Sequence, residues 1–181
     1  MLGSMYYEGN GVPRDYKETV KWWRKAAEQG SIYAQYQLGL MLGGHREGKG
    51  MPQDYAEAAK WFRRLAEQGS DAGQYELGVM YYEGKGVPQD YAEAAKWFRR
   101  KPAEWGYGDA RYYLGVMYEK GKGVPQDYVL AYMWFNISAS NGNQLAVKGR
   151  DVVLKKMTPS QIEKAQTLTR EWLEKNCLLS C

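Results

Sequence analysis

Between Tyr55 and Gln68 the apolar residues Tyr55, Ala58, Ala59, Phe62, Leu65 and Ala66 fall at i, i+3, i+4, i+7, i+10 and i+11, with Glu57, Lys60, Arg63 and Arg64 between them. That spacing is one face of an α-helix and has no strand character. The same reasoning predicts helices over about Asp15–Glu28, Ile32–Leu42 and Asp71–Tyr82, another from Tyr91, a helical pair within 110–140, and one from about 143 to 157. A last helix opens at Thr158-Pro159-Ser160-Gln161, which reads as an N-cap, a proline at the first helical position and a glutamine closing a capping box. It carries Ile162, Ala165, Leu168, Trp172 and Leu173 on one side and charged residues elsewhere.

The helices are punctuated by one recurring segment. Gly84-Lys85-Gly86-Val87-Pro88-Gln89-Asp90-Tyr91 has counterparts at Gly9–Tyr16, Gly48–Tyr55 and Gly121–Tyr128, and Pro13, Pro52, Pro88 and Pro125 are spaced 39, 36 and 37 residues apart. A period in this range belongs to a solenoid of stacked supersecondary units. The first glycine suits a helix C-terminus that needs positive φ, and the second glycine with its proline stops the helix. The aspartate then caps the next helix. Glu18, Glu57 and Glu93 lie three residues beyond Asp15, Asp54 and Asp90, where a reciprocal capping box is expected, while Leu130 leaves only half a box after Asp127.

The units are expected as a partial repeat over 1–30, complete repeats over 31–69, 70–106 and 107–142, and a helical end cap over 143–181. Residues 1–8 match only the second half of the helix seen complete at 70–83. An uncovered face is therefore expected at this end, from a truncated parent or used in self-association. The second repeat is longer between its helices, around Gly43-Gly44-His45-Arg46. In the third, Pro102 removes an N–H and meets the carbonyl of Phe98, so a kink or an early helix end is expected there.

The pattern Tyr75-x-Leu77-Gly78-x-Met80-Tyr81-x-x-Gly84-x-Gly86-Val87-Pro88-Gln89-Asp90-Tyr91-x-x-Ala94-x-x-Trp97-Phe98, with Ala26-Ala27-Glu28-Gln29-Gly30, resembles the Sel-one-like repeat family of bacterial type, a relative of tetratricopeptide repeats. The resemblance covers residues 1–142, and Thr158 to Trp172 resembles a closing segment found in bacterial members. It implies an all-α fold, a right-handed α/α superhelical solenoid of antiparallel helix pairs. It also implies an adaptor role in protein complexes.

Composition changes this picture little. A net charge of +4 and a pI near 8.9 are mild. Sixteen Tyr and seven Trp against three Phe suit helices that pack while keeping a polar edge near water. Cys177 and Cys181 both lie at the end, so no disulfide framework is expected. No signal peptide and no membrane-spanning run is seen, so a cytoplasmic location is expected for the chain as given.

Residues present in every copy are expected to build the fold: Gly39, Gly78 and Gly115, Ala58 and Ala94, Trp61, Trp97 and Trp134. Mapping the tetratricopeptide groove onto those glycines gives Tyr36, Leu40 and Gly43, then Tyr75, Val79 and Tyr82, then Tyr112, Val116 and Glu119, with Ser4 and Tyr7 from the partial repeat. The resemblance thus implies a concave, tyrosine-rich helix A groove for a peptide or helical partner. Packing of these rings on helix B is the structural alternative. Tyr75, Val79 and Tyr82 independently share one helical face.

Helix B carries Lys21, Arg24 and Lys25, then Lys60, Arg63 and Arg64, then Lys96, Arg99 and Arg100. A basic helical-repeat nucleic-acid binder is therefore the second reading, weakened by the interleaved glutamates. A fragment without a standalone role is a third. One histidine, no His/Cys/Asp cluster and no phosphate-cradling loop leave no catalytic, cofactor or metal site to name.

Overall fold

The computed structural model describes residues 2–45, 52–100 and 108–177, and among them every regular element is an α-helix. The chain divides into two compact units, Met1–Gln89 and Asp90–Cys181. In the first, α1 (Leu2–Glu8), α2 (Tyr16–Glu28), α3 (Ile32–Leu42), α4 (Tyr55–Glu67) and α5 (Asp71–Glu83) each pack on the next. The second holds α6 (Tyr91–Phe98), α7 (Gly108–Lys120), α8 (Tyr128–Ser140), α9 (Gln144–Leu154) and α10 (Pro159–Cys177). There α7 packs on α6 and α8, and α8 carries both α9 and α10.

Each residue of the recurring loop has a separate task. Gly9, Gly84 and Gly121 hold φ of 78°, 71° and 66°, the left-handed turn that ends helix A. The second glycine answers a close approach as well as a turn. A Cβ on Gly86 would stand 2.0 Å from the Tyr55 carbonyl oxygen, and one on Gly123 would stand 2.2 Å from the Tyr91 carbonyl carbon, so the loop rests directly on the first turn of the preceding helix B. Gln89 and Gln126 then donate from Nε2 to the helix-end carbonyls of Tyr82 and Glu119 at 2.9 and 2.7 Å. The aspartates accept from the next helix, Asp90 Oδ1 from the N–H groups of Ala92 and Glu93 at 2.9 and 3.0 Å.

The reciprocal capping boxes expected at Asp15 and Asp54 do not form. Their cap N–H groups already donate to the carbonyls of Tyr6 and Leu42, which leaves no donor for a returning carboxylate. Glu18 instead accepts from Lys21 and the Trp22 indole, and Glu57 from Arg24 and the Trp61 indole. Where no preceding helix claims the cap, the box closes. The Thr158 N–H donates to Gln161 Oε1 at 2.9 Å, and the Gln161 N–H donates to Thr158 Oγ1 at 3.3 Å.

The cores are built where helix A meets helix B. Gly39 and Gly115 are buried, and a Cβ on them would lie 2.6 Å from Phe62 and 2.5 Å from Phe135. Their absent side chains are the space that the rings fill. Phe62, Phe98 and Phe135 are fully buried, each contributing roughly 2–3 kcal/mol of apolar burial. Helix α6 ends at Phe98, four residues before Pro102. Pro102 itself, with the kink considered there, lies outside the described residues, as do loop positions 46–51 and Cys181.

Helix α8 differs from the other B helices because Tyr128–Ser140 contains no charged residue. Leu130, Met133 and Ile137 take the places of Glu57, Lys60 and Arg64, and α10 lies across the helix with Trp172 edge-on to Trp134 at 5.9 Å.

Candidate functional site

The groove positions are set by the glycines that draw helix A onto helix B. In the first unit the ring of Tyr36, one turn before Gly39, meets Phe62 edge-on at 6.3 Å. The Tyr7 ring lies 5.5 Å from Trp23 and 5.9 Å from Tyr16. In the second unit Tyr112 sits 5.9 Å from Phe135 and 5.9 Å from Tyr113. Each of these tyrosines thus rests one edge on the B helix of its own repeat and remains half-buried. Tyr75 and Tyr82 are half-buried as well, as are Ser4 and Leu40.

The remaining positions offer less surface. Val79 and Val116 are 8% and 9% exposed, so their main contribution is packing, and Gly43 is buried. Glu119 is held by Lys156 of the segment following α9, Nζ to Oε1 at 3.0 Å. This contact lifts the Lys156 ammonium above its ordinary pKa, first through the hydrogen bond. The structure therefore brings Tyr36, Leu40, Tyr75 and Tyr82 onto the helix A layer of one unit as partly accessible side chains. Tyr112 holds that position in the other unit.

Two buried groups on helix A escaped the sequence reading. Glu76 takes the register of Gln37 and Tyr113 and is 6% exposed; burial pushes its carboxyl up to about 7. His45 Nδ1, from the longer loop of the second repeat, lies 3.7 Å from Glu76 Oε2. The signal in the sequence was an acid in a register that is otherwise uncharged. Arg111, 5% exposed, stands in the register of Gln35 and Gln74, whose Nε2 groups donate to the helix-end carbonyls of Ala27 and Ala66. Its guanidinium lies over the Trp172 ring at 5.0 Å.

Most of the basic ridge on helix B is occupied within the molecule. Arg24 pairs with Glu57, Lys21 with Glu18 and Lys96 with Glu93. Arg63 and Arg99 donate to the hydroxyls of Tyr81 and Tyr118 at 2.8 and 2.6 Å. Lys25, Arg64 and Arg100 lie over Trp22, Trp61 and Trp97 at 5.5, 5.6 and 4.3 Å. Among the described residues no three His, Cys, Asp or Glu side chains are grouped to hold a metal ion, and no helix is long and apolar enough to cross a membrane.

Comparison with known proteins divides the chain into repeats as well. The family model of the Sel1 repeat matches residues 1–31, 32–70, 71–100 and 108–143. A comparison with curated proteins returns no match. Among solved structures, the chain is similar to a protective antigen present in uropathogenic Escherichia coli strains and displaying an SLR fold, at 35% identity and a TM-score of 0.79 over 97% of this chain and 37% of that one. It is also similar to a Sel1 repeat protein from Oxalobacter formigenes, at 37% identity and a TM-score of 0.72 over 80% of this chain and 41% of that one. The chain thus spans well under half the length of either.

Proposed function

This chain belongs to the Sel1 repeat family, and on that premise we propose that it is a non-catalytic scaffold whose helix A layer presents half-buried tyrosines to a peptide or helix of a partner protein. Sel1 repeat proteins are generally protein-interaction scaffolds. The observation that carries the finer reading is the seating of Tyr7, Tyr36 and Tyr112 against Trp23, Phe62 and Phe135. A ring fixed on one edge and open on another has surrendered its rotamer entropy before any partner arrives, so contact with it costs little ordering. The engagement of Arg24, Arg63, Arg99 and Lys21 with groups of the same chain favours this reading over a phosphate-tracking surface.

The test is capture of partners from source-cell lysate after nuclease treatment, by the wild-type protein and by a Tyr36→Ala/Tyr75→Ala/Tyr82→Ala variant of unchanged helix content. A nuclease-resistant partner lost from the variant supports the helix A surface. Partners retained equally by both place binding elsewhere, and partners that vanish with nuclease favour the basic ridge.

A further inference from the structure

We propose that two copies of this chain associate through the α1 end of the first unit, the Tyr33 ring of each copy entering an apolar groove of the other. The groove lies among α1, α2 and the start of α3. Leu2, Gly3, Trp22, Trp23, Ala26 and Tyr33 line it around a volume of about 340 Å³, room for an aromatic side chain. The helix A register shows what is particular to this end. Leu2 stands where the later A helices carry Leu38, Leu77 and Leu114, and Met5 where they carry Met41, Met80 and Met117. Leu2 is 45% exposed against 0% for each of the later leucines, and Met5 is exposed where the three methionines are buried. On α2, Trp22 and Ala26 are half-buried where α4 buries Trp61 and Leu65.

The ring that fits the groove stands on its rim. Ile32 and Tyr33 open α3 at 59% and 57% exposure, and Tyr33 is the one exposed aromatic side chain among the described residues. At the same two positions the other A helices carry Asp71-Ala72 and Gly108-Asp109. The apolar pair therefore belongs to the repeat beside the groove. In the first unit the exposed large apolar side chains among the described residues are Leu2, Met5, Ile32 and Tyr33, all on α1 or the start of α3. A knob beside a hole of the same chemistry is what an isologous contact requires: about a two-fold axis one patch meets itself, and the ring each copy offers finds the groove of the other. This proposal does not rest on the surface formed by Tyr36, Tyr75 and Tyr82.

Sedimentation equilibrium of the full chain tests it. The wild-type weight-average mass is expected to rise with concentration from 20.8 kDa toward twice that value, with little dependence on salt. Ile32→Asp/Tyr33→Ala, which writes the start of α5 onto α3, removes the knob, and Leu2→Glu puts a charge at the mouth of the groove. All three positions are exposed, so both variants keep the wild-type helix content. Each is expected to weaken association at least about tenfold. An equimolar mixture of the two keeps one ring-in-groove contact and is expected to associate more tightly than either variant alone. A wild-type chain that stays at 20.8 kDa throughout overturns the second copy as occupant of the groove. Association unchanged in both variants but lost in Leu145→Glu/Val152→Glu places the contact on α9 and overturns the proposal equally.

Discussion

Arg24 on α2 donates two hydrogen bonds to Glu57 on α4, at 2.8 and 2.7 Å, tying the B helices of consecutive repeats. The equivalent Arg63 and Arg99 donate to Tyr81 and Tyr118 instead. Leu42 stands in that tyrosine register beside Arg24 and has no hydroxyl to accept, so the guanidinium reaches across to the glutamate. One aromatic-to-aliphatic change in helix A thus redirects a contact on helix B.

The Arg24 hydrogen bond is the main reason the Glu57 carboxyl is held below its ordinary range. A depressed carboxyl stabilises the fold above the unfolded pKa, and that contribution is lost as pH falls through the lower folded value. The Arg24 side chain is 42% exposed, which screens the pair, so Glu57→Gln is expected to cost about 0.5–1 kcal/mol at pH 7 and almost nothing near pH 2. Urea midpoints of the two proteins at both pH values measure the difference.

Glu76 has the opposite sign. Its folded pKa of about 7 lies above the ordinary 4.5, so wild-type stability declines as pH rises between these values. Glu76→Gln removes that dependence and is expected to stabilise the protein by on the order of 2–3 kcal/mol at pH 8, with little change at pH 4. Thermal midpoints across the range report it. A flat wild-type profile would mean that the carboxyl is not buried in solution as it is here.

Two glycines with similar backbone angles are expected to respond differently to a methyl group. Gly30 has φ of 92° and no atom within 4 Å of the point where a Cβ would stand, so Gly30→Ala costs only the left-handed strain, about 1–2 kcal/mol. Gly86 has φ of 71° and would place its Cβ 2.0 Å from a backbone oxygen. Gly86→Ala is therefore expected to cost at least twice as much, read from chemical denaturation of both variants.

At Gly39 the obstacle is a side chain. Gly39→Ala pushes on Phe62 and is expected to cost about 1–3 kcal/mol. Phe62→Leu in the same chain frees space, so the double variant should be less destabilised than the two single changes added together. A double-mutant cycle on unfolding free energies gives the coupling.

The loops show how closely sequence and structure can agree. Each of Gly84, Gln89 and Asp90 acts within a few residues of itself, and the local chemistry of turns and caps specifies most of it, whereas the close approach of Gly86 to Tyr55 on the preceding helix B is a tertiary contact. The capping glutamates show where such reasoning stops. Glu18 and Glu57 had the right spacing for a box, yet the N–H groups of Asp15 and Asp54 had already gone to Tyr6 and Leu42 of the preceding helix. For the same reason the helix A tyrosines were legible as a shared register. Their half-burial and the near-complete burial of Val79 and Val116 depend on what crosses above them.

By itself the sequence determined the helices, their repeat register and the glycines at which helix A and helix B touch, because these follow from periodicity and from short-range steric and hydrogen-bonding rules. Only the tertiary structure decided the rest. It sent Arg24 to Glu57, buried Glu76 beside His45, and laid α10 on the uncharged face of α8. Those outcomes depend on which long side chains meet across helices far apart in the chain. A charged group takes the nearest available partner in space, whatever its distance in sequence.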